Sequence, residues 1–229
     1  MYPFFKRAID IAASLVALLL LSPLLLPICL ALLLTGEHQV FYFQQRIGLH
    51  NKKFGIWKFA TMLKNSPNMT GGLHTTRRDP RVLPLGHFLR ITKINELPQL
   101  VNILLGDMSI IGPRPLVDKT FDPYPEHVRR DIYNTRPGLS GIGSIVFRDE
   151  EKLLSESNMP LEKFYAEHIA PAKGELELWY LRNRSFTTDM LLIFLTVWVI
   201  PFPKSKLLHR FFKDLPEINV PGLEWKTQA

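Results

Sequence analysis

Residues 11–34 read IAASLVALLLLSPLLLPICLALLL, a run of 24 without one charged side chain, and this run limits the possible folds more than any other feature. A helix rises about 1.5 Å per residue, so roughly 20 such residues cross a hydrocarbon core. The segment is therefore read as embedded in a membrane. A secretory leader shares the basic start (Lys6, Arg7) and the apolar run. This run is longer than a leader's, and the following Thr35-Gly36-Glu37-His38-Gln39 contains no small-x-small cleavage signal.

A plain spanning helix is the simplest form. Ser22-Pro23 and Pro27 argue against it, because proline removes a backbone donor and clashes with the carbonyl four residues back. In lipid the freed carbonyl needs a partner, and the Ser22 hydroxyl is close in sequence. Charge argues the same way. Lys6 and Arg7 flank one end, while Arg46, Lys52, Lys53 and Lys58 follow the other. Basic flanks favour the cytoplasm, and one straight span cannot put both there. A helix broken at Ser22-Pro23 that re-enters the face it left satisfies both ends.

The remaining chain reads as one unit, so the expected division is a membrane helix over 1–36 and a cytosolic domain over 37–229. Residues 39–63 alternate aromatic and polar side chains around Gly48 and Asn51, which predicts a β-hairpin turning near His50-Asn51. Residues 65–80 are rich in Asn, Pro, Gly and Thr and read as a loop. A helix is expected over 85–105, interrupted at Pro98, with turns at Gly106-Asp107 and Gly112-Pro113-Arg114-Pro115. Further helices are expected over 124–134, 160–169 and 174–183. Residues 190–200 are apolar but too short to span; they form a core helix or one lying in the interface. The expected class is α+β, predominantly helical: a monotopic membrane protein with a small hairpin and interfacial helices.

Lys and Arg number 28 against 21 Asp and Glu, a net charge of +7. Such a surplus serves solubility, or attracts anionic lipid, nucleic acid or a phosphorylated substrate. The single cysteine, Cys29, excludes an internal disulfide framework and a Cys-rich zinc site. Basic residues sit beside backbone-bending ones at Arg46-Ile47-Gly48, Asp79-Pro80-Arg81, Pro113-Arg114-Pro115 and Arg136-Pro137-Gly138. Arginine's planar fork pairs with phosphate oxygens. Repeated at four turns, the pattern points to a multiply charged phosphate ligand; each taken alone also fits an ordinary surface turn. The same interleaving with Pro and Gly, and the lack of any recognised motif, speak against nucleic acid. Glu96, in Ile94-Asn95-Glu96-Leu97-Pro98-Gln99-Leu100, suits a Mg²⁺ ion shared with phosphate oxygens, and equally a solvated helix face.

The ordered set of motifs resembles the bacterial sugar transferases, the monotopic polyprenyl-phosphate phosphoglycosyl transferases. It begins with Lys6-Arg7, Asp10 and Ser22-Pro23, then Gln45-Arg46-Ile47-Gly48, Lys58-Phe59-Ala60-Thr61-Met62, Asp79-Pro80-Arg81 and Phe88-Leu89-Arg90. It continues with Glu96-Leu97-Pro98-Gln99-Leu100, Gly106-Asp107-Met108-Ser109, Gly112-Pro113-Arg114-Pro115 and Arg136-Pro137-Gly138-Leu139-Ser140-Gly141. The resemblance implies transfer of a phospho-sugar from a nucleotide diphosphate-sugar, usually UDP-linked, to polyprenyl (undecaprenyl) phosphate, with UMP leaving. That step begins exopolysaccharide, O-antigen or glycoconjugate assembly at the cytoplasmic face of the bacterial inner membrane. It also implies Mg²⁺ and a re-entrant helix broken at Ser22-Pro23. The assembly state, homodimer included, stays open.

The resemblance places the reacting centre at Asn95 and Glu96, with Arg90 just upstream and Glu96 as metal ligand. It places donor and phosphate contacts at Lys58, Arg81, Gln99, Arg114, Arg136 and Arg148. One position departs from the family's pattern: Asn95 stands where the family carries its nucleophilic Asp, and a neutral amide is a poor nucleophile. Three accounts follow: an impaired relative that binds lipid or nucleotide-sugar as a scaffold, attack by another carboxylate (Glu96, Asp107 or Asp149), or direct attack by the lipid phosphate. Ala60 replaces the Arg common in the Lys-Phe motif. The stretch Gly143-Ser144-Ile145-Val146-Phe147-Arg148-Asp149-Glu150-Glu151 also differs, bringing three acids beside Arg148 that are candidates for the missing negative charge.

Overall fold

A computed structural model describes residues 2–69, 79–203, 205–223 and 225. In chain order it contains helix α1 (Tyr2–Leu34), strands β1 (Phe41–Ile47) and β2 (Lys53–Phe59), helices α2 (Pro84–Ile91) and α3 (Gln99–Leu105), and strand β3 (Ser109–Ile111). Helices α4 (Asp118–Phe121) and α5 (Glu126–Asp131), strand β4 (Gly138–Ser140) and helices α6 (Ile142–Val146) and α7 (Glu150–Glu156) follow. Helices α8 (Leu161–Phe164), α9 (Ala170–Asn183), α10 (Phe186–Trp198) and α11 (Leu207–Phe211) complete it. The protein is predominantly helical, with a small antiparallel hairpin and one N-terminal apolar helix, in line with the helical content and hairpin expected.

The break expected at Ser22-Pro23 is not there: α1 runs unbroken from Tyr2 to Leu34 with Pro23 and Pro27 inside it. The local chemistry explains how. Proline in a helix interior costs about 3 kcal/mol, partly through a carbonyl left without its donor. Pro23 leaves the carbonyl of Leu19, and the Ser22 hydroxyl donates to that same oxygen at 2.8 Å. Helix α1 lies against the body along its length. Lys6 pairs with Asp189 at 2.7 Å. Arg7 donates to the carbonyls of Ile103 and Leu104 at the end of α3. Asp10 accepts the Ile110 N–H at 3.0 Å. Further along, Ala17, Leu18 and Leu21 pack on Leu100, Ile103 and Met108, and Ile28 and Leu32 pack on Phe59 and Leu89. The outer face, with Leu19, Leu20, Leu26, Leu30 and Leu34, stays exposed and apolar.

The hairpin forms where the alternation places it. Phe41 pairs with Phe59, Phe43 with Trp57 and Tyr42 with Lys58. Side chains alternate across a strand, so Phe41, Phe43, Trp57 and Phe59 share one face and Tyr42, Arg46 and Lys58 the other. The turn holds His50 and Asn51 at positive φ, and the His50 N–H docks on the Tyr133 carbonyl at 2.8 Å.

Several boundaries differ from expectation. The helix expected over 85–105 divides before Pro98, at Lys93, whose φ of 60° ends α2. Pro98 instead leads into α3; its missing N–H is harmless at a helix start. The helix expected over 124–134 is confined to α5, with α4 a separate turn before it. Those expected over 160–169 and 174–183 join into one run, α8 through a π-turn (Tyr165–Ile169) into α9. Pro171 cannot donate to Glu167, and a π-turn accommodates the lost bond. The apolar stretch near 190–200 is α10, which begins earlier because Ser185 Oγ caps the Thr188 N–H at 3.1 Å. Leu192 and Leu195 point into the core while Phe186, Phe194 and Val197 are exposed. Of the expected loop over 65–80, Ser66–Asn68 form a 3₁₀ turn and residues 70–78 lie outside the described ones.

A parallel pairing of β3 with β4 was not anticipated. It requires Gly112 and Gly138: a Cβ on Gly138 would lie 2.1 Å from the Gly112 nitrogen, and one on Gly112 would lie 2.4 Å from the Arg136 carbonyl. This tight seam delivers the chain into the turn that carries Arg114.

Candidate functional site

Glu96 lies on a single 3₁₀ turn (Ile94–Glu96) started by the left-handed Lys93. For a lysine that conformation is uncommon, and it turns the chain sharply between α2 and α3. Fully buried Asn102 on α3 accepts the Trp57 N–H at 2.9 Å and donates to the Gly55 carbonyl at 2.8 Å. These two bonds fix β2, and with it Lys58, against the turn. On the third side, the Tyr133 hydroxyl donates to the Arg114 carbonyl at 2.8 Å and accepts the Leu116 N–H at 3.0 Å. Arg46 Nη1 reaches the Pro115 carbonyl at 3.2 Å.

Three elements thus converge on one carboxylate. Lys58 Nζ lies 2.9 Å and Arg114 Nη2 2.7 Å from Glu96 Oε1, and Arg114 Nη1 lies 3.5 Å from Oε2. Burial alone would raise the Glu96 carboxyl. Arg114 and Lys58 outweigh it and hold the group well below the usual carboxylate range. Burial pushes Lys58 from 10.5 down to about 8, against the pull of Glu96. Arg46 falls to about 10, through burial and then the charge of Arg114. Glu96 raises Arg114. Three cations face one carboxylate, a surplus of two positive charges when all three are protonated. Buried like charges are costly, and a polyphosphate anion is the chemistry that relieves them.

Around this cluster the expected residues divide. Asn95 is buried, and its Oδ1 has no hydrogen-bond partner. Gln99 is buried with a partnerless Nε2, and Arg148 has a buried Nη1 without a partner. Arg90 contacts Glu151 at 3.4 Å and the Met62 sulfur at 3.8 Å. Glu150 is an ion-pair partner of Lys173. Glu150 and Glu151 of the divergent stretch are therefore engaged by cations of their own.

Arg81 and Arg136 have other partners. Arg81 is 2% exposed, its fork engaged by Asp79 at 2.9 and 2.6 Å, and it also donates to the Ser66 carbonyl at 3.1 Å. Arg136 Nε donates to the Gly106 carbonyl at 2.7 Å. Both fasten turns, and neither contacts Glu96. Arg46, by contrast, reads in the sequence as a basic turn and motif residue but not as a site residue, and it lies close enough to feel the charges of Arg114 and Glu96 while donating to the Pro115 carbonyl and to Gln44 Oε1. Its signal was position: it lies on the same hairpin face as Lys58.

A family model described as bacterial sugar transferase matches residues 1–202. The chain belongs to the bacterial sugar transferase family. It is 34% identical over 205 residues to UDP-N-acetylgalactosamine-undecaprenyl-phosphate N-acetylgalactosaminephosphotransferase of Aeromonas hydrophila, covering 87% of this chain and 44% of that one. Identity is 35% over 198 residues to UDP-glucose:undecaprenyl-phosphate glucose-1-phosphate transferase of Escherichia coli K12, covering 84% and 39%. It is 34% over 202 residues to the exopolysaccharide production protein PSS of Rhizobium leguminosarum bv. phaseoli, covering 84% and 92%. The chain thus spans less than half the length of the first two relatives and nearly all of the third.

Among the described residues, no three His, Cys, Asp or Glu side chains come together as a metal cage. The donors present do suit magnesium carried on substrate phosphates, which commonly takes one or two protein oxygens. Candidate oxygens in the same 3₁₀ turn are the Glu96 carboxylate and the buried, partnerless Oδ1 of Asn95.

Proposed function

We propose that this sugar transferase moves a phospho-sugar from a UDP-sugar to undecaprenyl phosphate at the cytoplasmic face of the inner membrane, opening the assembly of a surface polysaccharide or glycoconjugate. The observation that carries the reading is the Arg46–Lys58–Arg114 cluster around Glu96, in which Arg46 and Lys58 stand on a hairpin whose other face, through Phe41 and Phe59, packs on α1. The names of the relatives support the acceptor and the type of donor.

Helix α1, unbroken from Tyr2 to Leu34, would act as a one-sided anchor laid along the body, with 37–229 as the cytosolic unit. Support comes from its contacts. Thirty-three residues of helix extend about 50 Å, yet Lys6, Leu21 and Leu32 all touch the same body. A straight crossing would carry one end away from it.

In the reaction, Lys58 and Arg114 would release part of their hold on Glu96 and take the oxygens of the donor diphosphate. Arg46, held by the Pro115 carbonyl and Gln44 Oε1, would add charge nearby. Magnesium, when bound at Glu96 and Asn95, would neutralise phosphate oxygens. An attacking phosphate then needs only to be held in line with the departing UMP. The neutral Asn95 and the doubly engaged Glu96 favour direct attack by the lipid phosphate over a covalent enzyme intermediate. Asn95 also motivates the second reading, a scaffold that binds without turnover. Purified protein given UDP-sugar, undecaprenyl phosphate and Mg²⁺ is expected to release UMP steadily above a metal-free control. Binding of both substrates without UMP release would establish the scaffold.

Lys58 sets a pH dependence. Its cation is full below about pH 8 and is lost above it. The free-enzyme profile of kcat/KM should then fall by up to about tenfold per unit above pH 8. Lys58→Arg should remove that alkaline limb, because guanidinium stays charged there. An unchanged limb in Lys58→Arg would assign it to another group.

A further inference from the structure

A cavity lined by none of Lys58, Glu96 or Arg114 lies elsewhere in the fold. The first turns of α1 and the start of α10 leave a cavity of about 330 Å³ over β3. This is the size of cavities that hold small ligands, about 300–1,000 Å³. Its walls include Phe5, Ile9, Ile110, Phe186, Met190 and Ile193. The acidic groups beside it are already satisfied. Asp189 accepts from Tyr2 at 2.8 Å, Lys6 at 2.7 Å and Tyr180 at 2.7 Å, and Asp10 accepts the Ile110 N–H. Nothing inside demands water, so the space is suited to hydrocarbon.

The rim says what kind. Phe5 is 56% and Phe186 54% exposed, and Phe4 beside them is 76% exposed. Aromatic rings left open at the end of a membrane helix match the headgroup level of a bilayer. Arg184 lines the same cavity, is exposed, and makes no hydrogen bond or ion pair among the described residues. An apolar hollow with one free guanidinium at its mouth is complementary to an amphiphile with a hydrocarbon chain and an anionic head. A nucleotide lacks the chain, and a free phosphate would leave the cavity empty.

We infer that this cavity holds one acyl chain of an anionic glycerophospholipid whose phosphate is bound by Arg184. A bulk phospholipid fits better than the lipid acceptor. The acceptor's phosphate must reach Lys58 and Arg114, and neither these two nor Glu96 lines this cavity. The occupant would also brace β3, the strand that leads into the Arg114 turn.

The test reads lipid rather than turnover, so it stands apart from the proposed reaction. The full chain is reconstituted in nanodiscs of phosphatidylcholine containing phosphatidylglycerol, released gently, and weighed by native mass spectrometry. One phosphatidylglycerol should be retained per chain in preference to phosphatidylcholine. Arg184→Glu should lower its retention about tenfold, the scale of a lost charge-assisted bond. Met190→Trp, which fills the hollow, should lower retention of both lipids. Circular dichroism confirms that each variant is folded; should Met190→Trp not fold, Arg184→Gln supplies the second comparison and should weaken phosphatidylglycerol selectively. Equal retention of the two lipids, or retention unchanged in Arg184→Glu, would overturn the site. So would stoichiometric displacement of phosphatidylglycerol by undecaprenyl phosphate, since that would make the cavity the acceptor's own.

Discussion

Glu96→Gln should lower kcat on the order of 100-fold, the scale on which removal of a preorganised charged group acts, while donor KM stays level or falls. The split follows from geometry. Glu96 is the counter-charge of Lys58 and Arg114; without it, both cations face the incoming diphosphate with no competitor, so binding improves. The same change removes the orientation of the two side chains and the carboxylate proposed to hold magnesium, so the reacting geometry is lost. Stability should fall as well. Breaking a buried ion pair costs about 3–5 kcal/mol. Arg114 is 38% exposed, which places the loss nearer about 2 kcal/mol. Added UDP should recover much of the lost Tm by supplying the missing negative charge. The acid limb gives a further check. The Glu96 carboxyl sits well below its ordinary 4.5, so its contribution is full above that value and disappears as pH falls through the lower folded one. The variant's stability should be flatter across that range. A Glu96→Gln protein that turns over at the native rate would remove Glu96 from the centre of the site.

Why the grouping of Lys58, Glu96 and Arg114 is legible in the sequence, while the ion pair of Arg81 and the carbonyl contact of Arg136 are not, comes down to partners. A basic residue beside Pro or Gly looks the same whether it is aimed at a ligand or fastens its own turn. Asp79 stands two residues before Arg81, near enough to occupy the whole fork, yet spacing alone does not tell an occupied fork from a free one. Pro98 shows the same ambiguity in the backbone: proline can interrupt a helix or begin one, and the deciding feature was Lys93 adopting a left-handed conformation that no lysine advertises. Ser22-Pro23 was expected to break α1. The serine instead supplies the donor that the proline removes, so the pair that signals a break also repairs it. The hairpin was plain because alternation over seven residues per strand is a strong signal. The β3–β4 pair was hidden, since three-residue strands far apart in sequence carry no periodicity, and the glycines that permit the approach read only as turn residues.

Asn95→Asp is the substitution that separates direct transfer from a covalent route. Asn95 is buried beside a cluster with two surplus positive charges and has a partnerless Oδ1. Desolvation of a new carboxylate there opposes ionisation. Attraction to the cluster, a few kcal/mol per cation at short range with an effective dielectric of about 20, favours it. The variant should fold and carry an ionised Asp. Given UDP-sugar without lipid, it should gain the mass of one phospho-sugar: the carboxylate oxygen bonds to the sugar-bearing phosphorus, the bridging P–O bond breaks, and UMP leaves with that oxygen. The native chain should gain no such mass, and its initial rates should give intersecting rather than parallel lines when both substrates are varied, as a ternary complex requires. A phospho-sugar adduct on the native chain, mapped to Glu96, Asp107 or Asp149, would overturn direct transfer and name the residue that attacks.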